Sequence, residues 1–275
     1  MATARDTRPY VQVENLVARY GNRTILDGVS CSARRGEITV ILGGSGCGKT
    51  TLLRHIVGLL TPAAGRVLID GRDLHSASED EQEAILRNVG MSFQGGALFN
   101  SMTLEENIAL PIIEHLQADP ETARTLARMK LALVGLERAA HLLPSEISGG
   151  MKKRAAVARA LALDPSLLLF DELSAGLDPI TARELDELVL RLKVQFNVAI
   201  LIVTHELSSI QMIADQAVML HVGRVLAAGT LEEVRSVDHP QVRAFFDRRP
   251  RSTTVQRGLL DALLVNGGEH GENST

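Results

Sequence analysis

Stretches of alternating and of continuously apolar residues recur along this chain, and each predicts a β-strand. Residues 10–20, YVQVENLVARY, alternate between apolar and polar positions as a half-buried strand does, and residues 24–31 follow as a second strand after a turn. We therefore expect a β-hairpin here. Continuous apolar runs at residues 37–42, 167–170 and 198–203 predict buried strands of the kind found in parallel sheets.

The rest of the chain carries helical patterns and shorter strands. Further strands are predicted over residues 65–71, 88–93, 217–221 and 224–228, and helices over residues 50–58, 79–87, 178–196 and 230–234. From Thr103 to Leu143 the pattern is helical without a strand signal. Thr103 and Glu106 fit a capping box, and Gly135 suits a helix C-cap. We expect a helical subdomain over about residues 100–165, inserted between two strands of the core.

The segment after the strand at residues 37–42 carries the strongest chemical signal. It is GGSGCGKT and fits the pattern G-x-x-x-x-G-K-[ST], in which glycines let backbone N–H groups face phosphate oxygens, the lysine reaches the phosphates and the hydroxyl ligates Mg²⁺. Its residues are Gly43, Gly44, Ser45, Gly46, Cys47, Gly48, Lys49 and Thr50, and Thr51 follows on the helix. The alternative is a glycine-rich turn before an ordinary helix. The strand before the loop and the helix after it favour a phosphate site.

A second helix N-terminus suited to anions begins at Ser148-Gly149-Gly150, ahead of an alanine-rich helix. Its hydroxyl and backbone N–H groups can bind a phosphate group. Because one phosphate does not need two such sites in one chain, we expect this site to bind a nucleotide held by a neighbouring subunit. The alternative is an ordinary serine N-cap.

Polar residues at the ends of the predicted strands are candidates for phosphoryl transfer. Asp171 and Glu172 end the strand that begins at Leu167, so one carboxylate can hold Mg²⁺ while the other accepts a proton from water. The alternative is two acids that cap a strand. His205 follows the strand at residues 198–203 and is a candidate γ-phosphate sensor, because the carboxyl ends of parallel strands face ligands. A lone histidine is more often structural.

Three further residues lie at the ends of predicted elements. Gln94, beside two glycines, can contact Mg²⁺ or the attacking water, although such a residue is more often part of a turn. Tyr20, at the hairpin end, can stack on a nucleobase, and structural packing is the alternative. Asp178 precedes Pro179, and we expect it to be the N-cap of a long helix.

Composition and charge narrow the class of protein. The chain has 29 basic and 33 acidic residues, a net charge of −4 and no one-sided basic stretch, so we expect no nucleic-acid partner. Cys31 and Cys47 form no metal-binding spacing. The longest apolar runs are too short to span a membrane, and the N-terminus lacks the apolar core of a signal peptide. If the chain acts at a membrane, a partner must supply the membrane spans.

The composition changes towards the C-terminus. We expect one main domain over residues 8–247 and a separate tail over residues 248–275. Within the tail, residues 258–265, GLLDALLV, form a short amphipathic segment that cannot bury its apolar face alone. This segment is either a docking helix for a partner or part of a poorly ordered tail.

Taken in order, these motifs resemble those of the ATP-binding cassette (ABC) ATPases over about residues 10–240. The resemblance implies the ABC ATPase fold, an α/β architecture with a P-loop NTPase (RecA-like) core, an antiparallel β subdomain and an inserted helical subdomain. It also implies that the chain binds ATP and Mg²⁺ and hydrolyses ATP. Two copies are expected to form a homodimer, with ATP held between the phosphate loop of one and the serine-glycine signature of the other.

The resemblance assigns metal, phosphate and catalytic roles within one chain. Lys49 and Thr50 match the phosphate and Mg²⁺ contacts of the family. Asp171 matches the Mg²⁺ carboxylate, and Glu172 matches the general base. His205 matches the switch histidine.

Other residues match contacts to the base, the membrane partner or the second subunit. Tyr20 matches the adenine-stacking position, and Gln94 matches the glutamine that joins Mg²⁺ and the attacking water to the membrane partner. Ser148–Gly150 matches the signature that binds the other subunit's γ-phosphate, and Asp178 matches the interface loop. Met151 stands where the family commonly has glutamine. We expect function to survive, because serine and backbone N–H groups bind the phosphate.

A narrower resemblance is to the ATPases of the Mla-type phospholipid transporters, and it rests on residues 93–100, 104–111, 149–156 and 177–180. It implies a peripheral subunit at the cytoplasmic face of the bacterial inner membrane, with an integral membrane permease, an MCE-domain lipid-binding protein and a small regulatory subunit as partners. The alternatives are the ATPase of another importer or exporter, for a small polar solute, and a soluble ABC ATPase outside transport. A single cassette without a heptad repeat favours transport.

Overall fold

The computed structural model of the chain describes residues 8–247. They divide into two compact units, with the division between Val237 and Asp238. The amphipathic segment at residues 258–265 and the rest of the predicted tail lie outside the described residues. Within residues 8–247, no helix combines the length and the apolar character that a membrane span requires.

The first unit contains both strands and helices. Its strands are β1 (Val11–Tyr20), β2 (Arg23–Ala33), β3 (Ile38–Gly43), β4 (Ala64–Ile69), β5 (Arg72–Asp73), β6 (Val89–Ser92), β7 (Leu167–Asp171), β8 (Ala199–Val203), β9 (Gln216–His221) and β10 (Arg224–Gly229). Its helices are α1 (Lys49–Ile56), α2 (Glu79–Leu86), α3 (Leu104–Leu116), α4 (Pro120–Leu133), α5 (Gly149–Ala160), α6 (Pro179–Phe196), α7 (Leu207–Ile213) and α8 (Leu231–Ser236). The second unit contains α9 (Pro240–Phe246).

The N-terminal strands form a four-stranded antiparallel sheet in the order β2-β1-β4-β5. β1 and β2 pair from Val11 opposite Ala33 to Tyr20 opposite Arg23, which confirms the predicted hairpin. On the other side of β1, Val11 lies opposite Ile69 of β4. The half-buried alternation of the β1 sequence therefore reflects a strand with one face in the core.

The second sheet has six strands in the order β10-β9-β3-β8-β7-β6. All neighbours are parallel except β10, which pairs antiparallel with β9. Every residue of β3, β7 and β8 is buried, which explains why these strands are continuous apolar runs in the sequence. Ser92 of β6 pairs with Phe170 of β7, and Asp171 of β7 pairs with Val203 of β8. The segments that follow these strands therefore leave the sheet at one edge.

The segment between β6 and β7 is helical, as predicted, and α3, α4 and α5 pack against one another. The Thr103 hydroxyl accepts a hydrogen bond from the Glu106 N–H at 3.2 Å, and the Glu106 carboxylate accepts one from the Thr103 N–H at 2.8 Å. This pair confirms the predicted capping box. Gly135 lies one position beyond the C-cap of α4, with a φ of 75°. There the Leu136 N–H bonds to the Leu131 carbonyl at 2.8 Å and ends the helix.

Some boundaries and elements differ from the sequence patterns. α3 continues through Pro111 to Leu116, because the fully buried Ile112 keeps this turn packed where proline lacks an N–H. The patterns missed the two-residue strand β5 and the seven-residue helices α7 and α9. α7 has no side-chain cap at its start, so its sequence carries no start signal.

Candidate active site

Four of the segments predicted for the site gather at the carboxyl edge of the second sheet. The phosphate loop follows β3, Gln94 follows β6, Glu172 follows β7, and His205 follows β8. These strands are parallel neighbours in the order β3-β8-β7-β6. The sheet therefore brings together four segments that are far apart in the sequence, as the strand pattern predicted.

The phosphate loop depends on glycine at two crowded positions. Gly43 has a φ of 148°, and a Cβ there would lie 2.3 Å from the Leu220 carbonyl oxygen. Gly48 has a φ of 107°, and a Cβ there would lie 2.5 Å from the Leu26 side chain. The loop can therefore turn tightly into α1 while its backbone stays close to β2 and β9. Cys47 is buried beneath the loop, while Ser45, Gly46 and Thr50 are exposed.

Lys49, the first residue of α1, folds back over the loop. Its Nζ donates hydrogen bonds to the carbonyl oxygens of Gly43 at 2.9 Å and Gly44 at 3.1 Å. α1 has no acidic residue in its first turn. The ammonium group and the positive helix N-terminus therefore both attract an anion. The loop, the lysine and the helix end can therefore bind the phosphates of a nucleotide.

Thr50 and Asp171 form a pair of oxygen ligands beside the loop. The Thr50 hydroxyl donates to the Asp171 carboxylate, and Asp171 is 5% exposed. Burial is the main cause that raises the pKa of Asp171, helped by the charge of Glu172, and the bond from Thr50 opposes it. In the described part of the chain, Asp171 Oδ1 is buried without a hydrogen-bond partner. A hydroxyl and a buried carboxylate with a spare oxygen fit Mg²⁺, which prefers oxygen ligands.

Glu172 is the next residue and is held in an unusual backbone conformation. Its φ is 54°, in the left-handed region that costs a non-glycine residue about 1–3 kcal/mol. Its N–H donates to the Val203 carbonyl at 2.8 Å. Its Oε1 accepts a hydrogen bond from His205 Nδ1 at 2.7 Å, and Oε2 is buried with no hydrogen-bond partner among residues 8–247. A carboxylate oriented by an imidazole, with one oxygen left over, can accept a proton from a water molecule.

Gln94 and Tyr20 are exposed at the margins of the site. The backbone carbonyl of Gln94 accepts a hydrogen bond from Lys153 Nζ at 2.7 Å, and Lys153 is not among the residues that the sequence motifs predict for the site. The only sequence signal for Lys153 is its place in the basic run Lys152-Lys153-Arg154 after the signature. Tyr20 ends β1 with 48% of its surface exposed, and Leu26 of the paired strand packs against Gly48 of the phosphate loop. Its ring is therefore accessible on the strand pair that borders the loop.

The signature residues form a second cluster with the start of α6. Ser148 is the N-cap of α5, and its hydroxyl accepts from the Met151 N–H at 3.3 Å. A Cβ at Gly150 would lie 2.5 Å from the Thr181 side chain, so glycine permits this close packing. Asp178 is exposed and caps α6, as predicted. Its bonds with the Thr181 side chain and with the Thr181 and Ile180 N–H groups lower the pKa of its carboxyl.

A P-loop core with paired carboxylates, a second anion-binding helix end and an inserted helical block defines a class of proteins, the ATP-binding cassette ATPases. The chain belongs to this family: its residues 26–175 match the family described as ABC transporter. It is therefore a nucleotide-binding ATPase coupled to transport. The fold class and the family expected from the sequence are confirmed.

Two relatives illustrate what the chain is similar to within the family. It is 42% identical over 224 residues to the intermembrane phospholipid transport system ATP-binding protein MlaF of Haemophilus influenzae, across 82% of this chain and 85% of that protein. It is 39% identical over 239 residues to the probable ribonucleotide transport ATP-binding protein mkl of Mycobacterium tuberculosis, across 87% of this chain and 67% of that protein. The Mla-type resemblance therefore extends over most of the chain.

The fold is also similar to a solved cassette. The dimeric post-hydrolysis structure of the ATP-binding cassette MJ0796, bound to ADP and Pi, superposes with a TM-score of 0.73 and 30% sequence identity. The match covers 80% of this chain and 98% of that one. That cassette holds its nucleotide as a dimer, which agrees with the two-subunit arrangement expected from the sequence.

Proposed function

We propose that this chain is the ATP-hydrolysing subunit of an ABC system that transports phospholipid between the membranes of a bacterium. The observation that carries the proposal is the 42% identity to MlaF over 82% of this chain and 85% of the relative. In the proposed assembly, the chain is peripheral at the cytoplasmic face of the inner membrane. The cargo and the direction of transport are properties of its partners.

In the proposed site, this chain binds the phosphates of ATP through the N–H groups of the loop and the Lys49 ammonium. Thr50, Asp171 and Gln94 hold Mg²⁺, which when bound neutralises charge on the phosphate oxygens. Glu172 accepts a proton from the attacking water at Oε2, while its bond to His205 fixes the carboxylate. The 2.7 Å contact between His205 and Glu172 supports this arrangement.

The other sequence-predicted residues are proposed to complete the site from outside the loop. Tyr20 stacks on the adenine of the nucleotide bound by its own chain. Ser148, Gly149 and Gly150 contact the γ-phosphate bound by a second copy, with Asp178 at the same interface. The shared location of Gly150 and the start of α6 supports a common surface for these residues. Hydrolysis then requires a homodimer, so an isolated monomer binds ATP and turns it over poorly.

The proposal also assigns a role to each part of the chain. Residues 8–247 are the ATPase domain, in which Gln94 and the helical subdomain at about residues 100–165 face an integral membrane permease. An MCE-domain lipid-binding protein and a small regulatory subunit complete the proposed complex. Residues 248–275 are proposed as a separate segment that docks on a partner.

The experiment that tests this function uses the chain in its native membrane. The tagged chain is purified from solubilised membranes, and copurified proteins and lipids are identified by mass spectrometry. We expect an integral permease and an MCE-domain protein. Reconstituted in vesicles, the complex should move labelled phospholipid only with Mg²⁺ and ATP, and the Glu172→Gln complex should not.

A second candidate is transport of a small polar solute, which the 39% identity to mkl favours. The same reconstituted complex distinguishes the two candidates. ATP-dependent movement of a labelled ribonucleoside without phospholipid transfer would establish the second and exclude the first. A stable complex with nucleic acid and no permease would exclude both.

A further inference from the structure

A lysine outside the predicted site connects two of its members. Lys153 Nζ lies 2.7 Å from the Gln94 carbonyl oxygen and 3.3 Å from the Glu172 carbonyl oxygen. Lys153 belongs to α5, whereas Gln94 and Glu172 follow β6 and β7, which are parallel neighbours. One ammonium group of the helical subdomain therefore contacts the segments that follow two neighbouring strands.

The contact from Lys153 acts on the strained backbone of Glu172. A non-glycine residue keeps a φ of 54° only where its surroundings hold it. The Glu172 N–H is held by Val203, and its carbonyl accepts from Lys153 and from the Ala175 N–H at 3.3 Å. Because the backbone of Glu172 determines where its side chain lies, the bond from Lys153 helps to hold the carboxylate against His205.

The segment after Gln94 is held by the same helix at a second point. Arg159 of α5 donates to the Ala97 carbonyl, and its guanidinium carbon lies 4.9 Å from the centre of the Phe99 ring. Two cationic side chains of one helix therefore contact the loop at residues 94–99. The helix and the loop are therefore linked at two points.

Lys153 is also close to the signature along the helix. Ser148 caps α5, and Lys153 is five residues further on, about 7.5 Å along a helix axis. Lys153 is half-buried, and burial lowers its pKa although the carboxylates of Glu172 and Asp171 oppose this. A partly desolvated ammonium is costly without acceptors, and the two carbonyls supply them.

We infer that Lys153 is a positioning residue, which couples the orientation of α5 to the general base Glu172 and to Gln94. This inference rests on the proposed function, in which α5 begins at the signature that contacts the second subunit's nucleotide. When the signature contacts that nucleotide correctly, the Lys153 side chain then positions Glu172 and Gln94. Lys153 acts on the rate of hydrolysis and not on nucleotide affinity.

The experiment compares four variants of the full chain with the wild type. Lys153→Met removes the donor, Lys153→Arg keeps charge and donors, and Glu172→Gln reports on the proposed base. Lys152→Met is the matched control, because Lys152 is the exposed neighbour on the same helix and the change in charge is identical. For each variant, kcat and KM for ATP are measured with Mg²⁺, and backbone hydrogen exchange is measured without nucleotide.

We expect Lys153→Met to lower kcat about 10- to 100-fold, as loss of a hydrogen bond from a charged group implies, with KM within about threefold. Lys153→Arg should recover most of the loss, and Lys152→Met should match the wild type. Exchange should rise in Lys153→Met at residues 94–99 and 171–176 and stay unchanged elsewhere. If Lys153→Met does not fold, Lys153→Gln, which keeps a neutral donor, is measured in its place. The same ranges of kcat, KM and exchange are then expected.

Three results would overturn the inference. These are a wild-type kcat in Lys153→Met, an equal loss in Lys152→Met, and a rise in exchange spread over the whole chain. Failure of the proposed function is distinguished by Glu172→Gln. If Glu172→Gln hydrolyses ATP at the native rate, the general base itself is wrong, whereas an inactive Glu172→Gln with a fully active Lys153→Met overturns the Lys153 inference alone.

Discussion

His205 Nδ1 and Glu172 Oε1 lie 2.7 Å apart, although 33 residues separate them in the sequence. The contact joins the ends of β8 and β7, which are hydrogen-bonded neighbours. It occupies one carboxylate oxygen of Glu172, while Oε2 is buried with no hydrogen-bond partner among residues 8–247. The pair therefore gives the candidate base a defined orientation.

Replacement of Glu172 by glutamine tests the general base. We expect Glu172→Gln to lower kcat by about 10²- to 10⁴-fold, the usual worth of general-base catalysis, while ATP binding and ATP-bound dimers persist. Phosphate release and size-exclusion chromatography with ATP measure the two effects. Glu206→Gln is the control, because Glu206 Oε1 lies 3.6 Å from the other nitrogen of His205. Dimers of Glu172→Gln that hydrolyse at the native rate contradict the role.

Replacement of His205 tests whether it acts through Glu172. We expect His205→Ala to lower kcat about 10- to 100-fold, because a hydrogen bond to a charged group is lost. Combined with Glu172→Gln, it should cause little further loss, because the two residues act as one unit. Single-turnover rates of both single variants and the double variant measure this coupling. Fully multiplicative losses would show that His205 acts independently of Glu172.

Replacement of Thr50 by valine tests the proposed Mg²⁺ ligands. The change keeps the shape of the side chain but removes the hydroxyl that donates to Asp171. We expect the Mg²⁺ concentration for half-maximal hydrolysis to rise at least about tenfold, as loss of one ligand or charged hydrogen bond implies. Binding of ATP without Mg²⁺ should stay unchanged, which is the internal control. An unaltered Mg²⁺ requirement would remove Thr50 from the metal site.

The local parts of the site could be predicted from the sequence, because each carries its chemistry in adjacent residues. The phosphate loop, Asp171 with Glu172, and the Asp178 cap are of this kind. The contribution of Lys153 could not be predicted, because its acceptors lie 59 and 19 residues away and a lysine on a helix ordinarily faces solvent. The continuation of α3 past Pro111 also depends on packing, which local propensity does not contain.

Replacement of Ser148 by arginine tests binding across the dimer. We expect Ser148→Arg to abolish hydrolysis while ATP binding is retained, because a bulky cation then occupies the position facing the second subunit's phosphate. The change also removes the N-cap of α5, worth about 1 kcal/mol. Asp119→Ala removes the cap of α4 and serves as the stability-matched control, with hydrolysis intact. A fully active Ser148→Arg contradicts the shared site.

Asp186 provides a test of pH dependence away from the chemistry. It is buried on α6, and burial raises the pKa of its carboxyl above the ordinary 3.8, while the bond from Ser209 opposes the rise. The folded state therefore binds the proton more tightly than the unfolded state. Stability is lost as the pH rises from 3.8 through the raised pKa.

We therefore expect Asp186→Asn, which cannot ionise, to be more stable than the wild type at neutral pH. The difference should shrink as the pH falls towards the ordinary value for aspartate. Urea unfolding at about pH 5 and about pH 8 measures both values. Ser209→Ala should act in the opposite direction and lower stability, because it removes the hydrogen bond that favours the charged carboxylate. Loss of stability in Asp186→Asn at about pH 8 would show that the buried charge is compensated by its surroundings.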